Sequence, residues 1–144
     1  MKKVFDSSLL AVISLIMIFS FAACFGNEVS DETGIWSDAV FTEDTQLGVG
    51  EKTLTVEVEA EEKVVVFSIH TDKDTVGDAL QELELIDGEE GEYGLYVKKV
   101  NGMFADYSVN QSYWAFLING EYASTGVDGA TISEGEVYRL VYTK

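Results

Sequence analysis

His70 is the chain's one histidine, and it stands next to Asp72 and Asp74 at the end of an apolar run. A carboxylate beside an imidazole is the arrangement a general base needs. There is no Gly-x-Ser-x-Gly turn to supply a nucleophile for it, so His70 reads as an exposed strand end. A second candidate is the cluster Asp87, Glu89, Glu90 and Glu92. Four carboxylates in six residues could gather Ca²⁺, but the alternating Asp/Asn, Gly and Glu spacing of a calcium loop is missing. The cluster reads as a solvated acidic loop and not as a metal site. No catalytic residue is assigned, and the chain is expected not to be an enzyme.

The only cysteine, Cys24, follows Phe21-Ala22-Ala23 at the end of 17 uncharged residues from Ser7 to Ala23, themselves preceded by Lys2 and Lys3. A short basic start, an apolar stretch and small residues before a cleavage point make a signal peptide. Small residues directly before the cysteine resemble a bacterial lipobox, although Phe21 stands where leucine is usual. The resemblance implies that residues 1–23 are a lipoprotein signal peptide, removed to leave a diacylated Cys24 as the new N-terminus. The protein is then expected outside the cytoplasm, tied to the cell membrane by its lipid. Acyl chains contribute about 0.8 kcal/mol per buried methylene, so two long chains hold without any basic patch. A thiol consumed as a thioether takes no part in catalysis, and one cysteine makes no intramolecular disulfide.

Charge excludes more than it suggests. The 144 residues carry 26 acids against 9 bases, a formal net charge of −17. Phosphate binding needs Lys and Arg to release counterions, so nucleic acid is not a partner. Electrostatic attachment to an anionic membrane surface is equally disfavoured. At 24% charged and 12% aromatic the composition is globular, and the length suits one domain.

The aromatic residues are unevenly placed. All seven tyrosines lie between Tyr93 and Tyr142, together with Phe104, Trp114 and Phe116. The run Ser112 to Ile118 is apolar on both faces of a strand: Tyr113, Ala115 and Leu117 on one, Trp114, Phe116 and Ile118 on the other. A single helix covers one of them. Small Ala115 suits a closely packed helix, with Leu117 meeting Leu80 and Leu83, which leaves Trp114 and its neighbours on the face without a helix. That face is either closed by the segment around Trp36 and Phe41 or offered to a ligand or partner.

The elements that position these residues follow from periodicity. Residues 24–50 hold six acids, no Lys or Arg and no clear period, and read as an acidic tether. Ile35, Trp36, Val40 and Phe41 within it are expected to pack onto the domain, the alternative being a contact with a partner. From Lys52, strict alternation of Leu54, Val56, Val58 and Ala60 predicts a half-buried strand. Glu61-Glu62-Lys63 turns it, and Val64 to His70 returns as a second strand. Thr75 with Asp78 three residues on predicts a helix start. Val76, Ala79, Leu80 and Leu83 continue it at helical spacing to near Leu85. Strands are expected at Tyr93–Val100, Ser112–Ile118 and Val137–Thr143, with a tight hairpin at Asn119-Gly120 and a return from Glu121 to Ala123. The class is α+β, a β-grasp-like roll whose mixed sheet carries one helix on one face.

In order along the chain come Thr75-Val76-Gly77-Asp78-Ala79-Leu80, Tyr93-Gly94-Leu95-Tyr96-Val97, Val100-Asn101-Gly102, Asp106-Tyr107, Tyr113-Trp114-Ala115-Phe116, Ile118-Asn119-Gly120-Glu121-Tyr122-Ala123 and Gly126-Val127-Asp128. This set resembles the DUF4430 family, the domain similar to the C-terminal β-domain of transcobalamin and intrinsic factor, over residues 51–144. The family often has a proline on the approach to the helix; here that stretch is Thr71-Asp72-Lys73-Asp74. The resemblance implies a β-grasp-like domain with cobalamin or a similar corrinoid as ligand rather than as a cofactor for catalysis. By the same resemblance, the ligand contacts fall on Tyr93, Gly94, Leu95, Tyr96, Tyr113, Trp114 and Phe116. The helical barrel that forms the second wall in the eukaryotic carriers is missing from this sequence. A helical partner protein, or a membrane transporter receiving the ligand, would supply it. The alternative from another class is a surface module whose aromatic face docks a protein and takes no small molecule.

Overall fold

The structure is a computed structural model that describes residues 33–144. The expected signal peptide, Cys24 and the first part of the expected tether lie outside the described residues. The elements are β1 (Thr45–Gly48), β2 (Lys52–Ala60), β3 (Lys63–Thr71), α1 (Val76–Glu82), β4 (Ile86–Gly91), β5 (Gly94–Val100), β6 (Met103–Phe104), α2 (Tyr107–Asn110), β7 (Tyr113–Ile118), β8 (Glu121–Tyr122) and β9 (Val137–Thr143). Short 3-10 turns occupy Gly34–Asp38 and Val127–Gly129.

Among the described residues the strands form a six-stranded sheet in the order β1-β3-β2-β9-β7-β8 and a three-stranded sheet β4-β5-β6. The β2–β3 hairpin is antiparallel, and β9 runs parallel to β2 and antiparallel to β7. A hairpin, a helix and a last strand returning beside the first make the α+β, β-grasp-like roll. The Asn119-Gly120 turn has φ of 52° and 82°, the left-handed pair that a two-residue hairpin requires.

Alternation decides what is buried. Leu54, Val56, Val58 and Ala60 of β2 share one face with Val65, Phe67 and Ile69 of β3 and with Tyr138 and Leu140 of β9. The register pairs Val56 with Tyr138, Tyr138 with Ile118, and Leu140 with Phe116, so Trp114, Phe116 and Ile118 belong to this same face. Val76, Ala79 and Leu80 of α1 complete the core on it. Thr75 starts the helix as predicted, its hydroxyl oxygen accepting the Asp78 N–H at 3.1 Å.

Three expectations change. The helix covers the Trp114 face and not the Ala115 face. Ala115 and Leu117 lie on the opposite side, in register with Val141 and Arg139, where the Arg139 guanidinium bonds Glu57 (Nε, 2.7 Å) and Glu59 (Nη1, 3.2 Å). The bulk of Trp114 fills the core on the helix side, whereas small Ala115 is buried on the other face of the sheet, in register with Val141.

The acidic loop is a strand. Residues Asp87 to Gly91 belong to β4, paired antiparallel with β5 around a register shift at Asp87/Gly88. Its acids point to solvent, and its ladder comes from β5 rather than from its own propensity, which is low.

The tether ends well before Gly50. Trp36 is buried in the core, and its indole N–H donates to the Ala60 carbonyl at 2.8 Å. Phe41 meets Phe67 edge-on at 5.8 Å, and β1 adds parallel to β3. Residues 34–48 therefore form a strap built into the domain and fastened by Asn101. Ile35, Trp36 and Phe41 pack on the core as expected. Val40, expected to pack with them, is exposed because only its backbone is engaged by Asn101. The Asn101 carbonyl accepts the Val40 N–H (2.9 Å), Oδ1 accepts the Phe41 N–H (2.9 Å), and Nδ2 donates to the Phe41 carbonyl (2.7 Å).

Candidate functional site

The turn between β4 and β5 is Glu92-Tyr93, closed by the pairing of Gly91 with Gly94. Around it lies an open depression of about 390 Å³ lined by Gly91, Glu92, Tyr93, Gly94, Leu95, Tyr96 and Gly126. Tyr93 is 92% exposed and Tyr96 is 44% exposed. Three of the lining residues are glycines, so bare backbone lies between the two rings and is open to a flat ligand.

The loop is fixed from below. The Leu95 N–H donates to Asp128 Oδ2 at 3.0 Å, and Leu95 and Val97 pack on the core while Tyr96 points out. Lys98, on the outward side with Tyr96, pairs with Glu89 and with Asp106, each at 3.0 Å. The Lys98 ammonium also stands 5.7 Å from the centre of the Tyr96 ring, a cation–π contact that favours one ring orientation. Hydrogen bonds to Asp106 and Glu89 raise the Lys98 pKa. The Ser108 hydroxyl and the Lys98 ammonium hold the Asp106 carboxyl below its ordinary value. These charges brace the small sheet. They offer neither a nucleophile nor a proton relay.

Four of the seven expected ligand contacts, Tyr93, Gly94, Leu95 and Tyr96, share this depression. The other three are elsewhere. Tyr113 lies on the opposite face of the large sheet, opposite Thr143. Phe116 stacks on Tyr138 with ring centres 6.3 Å apart. Trp114, expected away from the core, is only 7% exposed and meets Tyr142 edge-on at 5.6 Å. Its indole N–H is buried without a hydrogen-bond partner. Gly126 and Asp128 join the site without having been assigned to it. Their only signal in the sequence was membership of the Gly126-Val127-Asp128 motif.

The other candidates resolve separately. His70 Nδ1 lies 3.1 Å from Thr53 Oγ1. Asp72 accepts the Glu51 N–H at 2.9 Å, and Asp74 pairs with Lys52 at 2.6 Å, so both acids have partners other than His70. Among the described residues, no three His, Cys, Asp or Glu side chains are grouped as metal ligands.

An α+β, β-grasp-like domain with an aromatic hairpin tip is the class these features define. The family model for the domain of unknown function DUF4430 matches residues 73–144, half of the chain. The chain belongs to that family. It is similar to the crystal structure of a protein from Ruminococcus gnavus ATCC 29149, named as a candidate metal binding protein. The two share 35% identity at a TM-score of 0.61, over 65% of this chain and 98% of that one. Haptocorrin in complex with Cbi is similar at 20% identity and a TM-score of 0.48, over 64% of this chain and 25% of that one. The chain thus spans about a quarter of haptocorrin's length. No curated protein matches the chain.

Proposed function

We propose that this chain is a ligand-binding module tethered outside the cytoplasm by a lipid on Cys24, and that its ligand is a flat corrinoid such as cobalamin. The observation that carries the ligand reading is the pair of exposed rings, Tyr93 and Tyr96, bracketing a glycine-lined depression. Exposed tyrosines supply contact area at little loss of conformational freedom, with a hydroxyl for orientation. A macrocycle resting on one wall buries roughly half its surface, whereas enclosed sites bury about 70–90%. Binding by this domain alone is therefore weak, and a helical partner or a membrane transporter closes the second side.

The test is a titration of the domain with cyanocobalamin, followed by calorimetry and by its visible absorption bands. Saturable one-to-one binding is expected. No binding at about millimolar ligand, where the standard free energy is about −4 kcal/mol, would count against the corrinoid. The anchor is tested apart from it: Cys24→Ser should abolish incorporation of labelled palmitate in cells, and persistent labelling would exclude the lipobox.

A second reading is supported by Phe104, Tyr107 and Val109, all exposed within six residues at the end of the small sheet. They would serve a protein-docking surface, and substitutions there should leave cyanocobalamin binding unchanged.

A further inference from the structure

We infer that Asp128 is the residue that positions the Tyr93–Tyr96 loop for its ligand; the ligand half of this inference rests on the function proposed above. Asp128 sits in the 3-10 turn Val127–Gly129, directly after Gly126 of the depression wall. Its Oδ2 accepts the Leu95 N–H at 3.0 Å across 33 residues of sequence. Its Oδ1 is buried and has no hydrogen-bond partner, so the carboxylate is held by one bond and by packing.

Two glycines make room for it. Gly94 has a φ of +100°, and a Cβ there would come within 3.2 Å of Asp128 Oδ2 and 3.4 Å of its Cβ. Gly77, in the first turn of α1, lies so close that a side chain would collide with the Asp128 carboxylate and backbone. Gly94 is thus needed both for a left-handed backbone and for space. The turn itself is fastened to the helix, since the Val76 N–H donates to the Ala130 carbonyl at 2.9 Å and Thr75 bridges to Thr131.

A continuous path runs from the buried helix through the turn to Asp128 and on to the Leu95 amide. Beyond Leu95 are the exposed rings. On the β4 side the tip is held by the short ladder of its own hairpin and the Lys98–Glu89 pair, and such tips open easily. Without Asp128 the rings lose the fixed spacing that a rigid flat ligand requires, and affinity falls because loop ordering is then charged to binding.

The experiment compares wild type, Asp128→Ala and Asp128→Asn by amide hydrogen exchange and by cyanocobalamin titration. In Asp128→Ala the Leu95 amide should exchange about tenfold faster or more, amides of Val56 and Leu140 in the large sheet should keep their protection, and affinity should fall about tenfold. Asp128→Asn retains an acceptor for Leu95 and should recover most of both. Unchanged Leu95 protection would overturn the inference. So would equal acceleration across the large sheet, or faster Leu95 exchange with unaltered affinity. Failure of the wild type to bind cyanocobalamin would overturn the ligand reading alone, while the exchange comparison would still decide whether Asp128 fixes the loop.

Discussion

The strap at residues 34–48 and the hairpin tip at 91–96 look alike in sequence. Each mixes acids, glycines and aromatic residues without a sustained period. Their fates differ. The strap drives Trp36 into the core, gives its indole N–H an acceptor and is clamped by Asn101 at both Val40 and Phe41. The tip turns its two tyrosines into solvent and is tied to the rest of the domain through Leu95, which packs on the core and bonds Asp128. The strap's aromatic residues hold the fold together, while the tip's are exposed and take little part in the core.

The largest effect expected from this contrast is at Trp36. Trp36→Ala removes a buried ring and strands the Ala60 carbonyl, and should destabilise the domain by about 3–5 kcal/mol in urea unfolding. Trp114→Ala should fall in the same range, since its ring fills the core despite its unpaired N–H. A loss under about 1 kcal/mol at either site would mean that the ring is not a core residue.

Next is Asn101→Ala. It leaves the Phe41 N–H and carbonyl without partners and puts a Cβ-only side chain at a φ of 50°. The expected loss is about 2–3 kcal/mol, with faster proteolysis near the strap. If the strap were an independent tether, neither would change.

A smaller effect concerns the small sheet. The Asp106 carboxyl is depressed by the Ser108 hydroxyl and the Lys98 ammonium. A depressed carboxyl contributes stability that is fully present above its unfolded value, about 3.9, and is lost as pH falls through its folded-state value. Asp106→Asn should therefore narrow the difference between unfolding midpoints measured at pH 7 and below pH 3. An unaltered difference would show that the Lys98–Asp106 pair contributes nothing measurable, although both of its side chains are largely buried.

What was legible in the sequence follows the same division. Strict alternation from Leu54 to Ala60 and helical spacing from Val76 to Leu80 announce a buried face, because burial imposes the period. β2 formed where it was expected, as did β9 at Val137–Thr143, while the helix starts at Val76 as expected but ends at Glu82, short of the expected Leu85. In β7, apolar on both faces, periodicity could not say which side met the helix. The choice depended on volume across the whole layer, and Trp114 rather than Ala115 filled it. β4 was hidden because Asp, Gly and Glu carry no strand preference of their own, and its partner β5 supplies the ladder. That the strap's aromatic residues pack could be read from their apolar character, but the clamp could not, because Phe41 is held by an asparagine 60 residues away. At the tip, the tyrosines and glycines could be read directly, while Asp128 could not, since only the fold brings it beneath Leu95.

The central claim is that Tyr93 and Tyr96 are exposed for binding and contribute little to folding. The direct measurement is the double variant Tyr93→Ala/Tyr96→Ala, unfolded in urea and titrated with cyanocobalamin beside the wild type. Unfolding free energy should stay within about 0.5 kcal/mol of the wild type, as for other exposed substitutions. Affinity should drop by about 2 kcal/mol, near thirtyfold. A variant that loses stability yet binds cyanocobalamin as well as the wild type would contradict the claim.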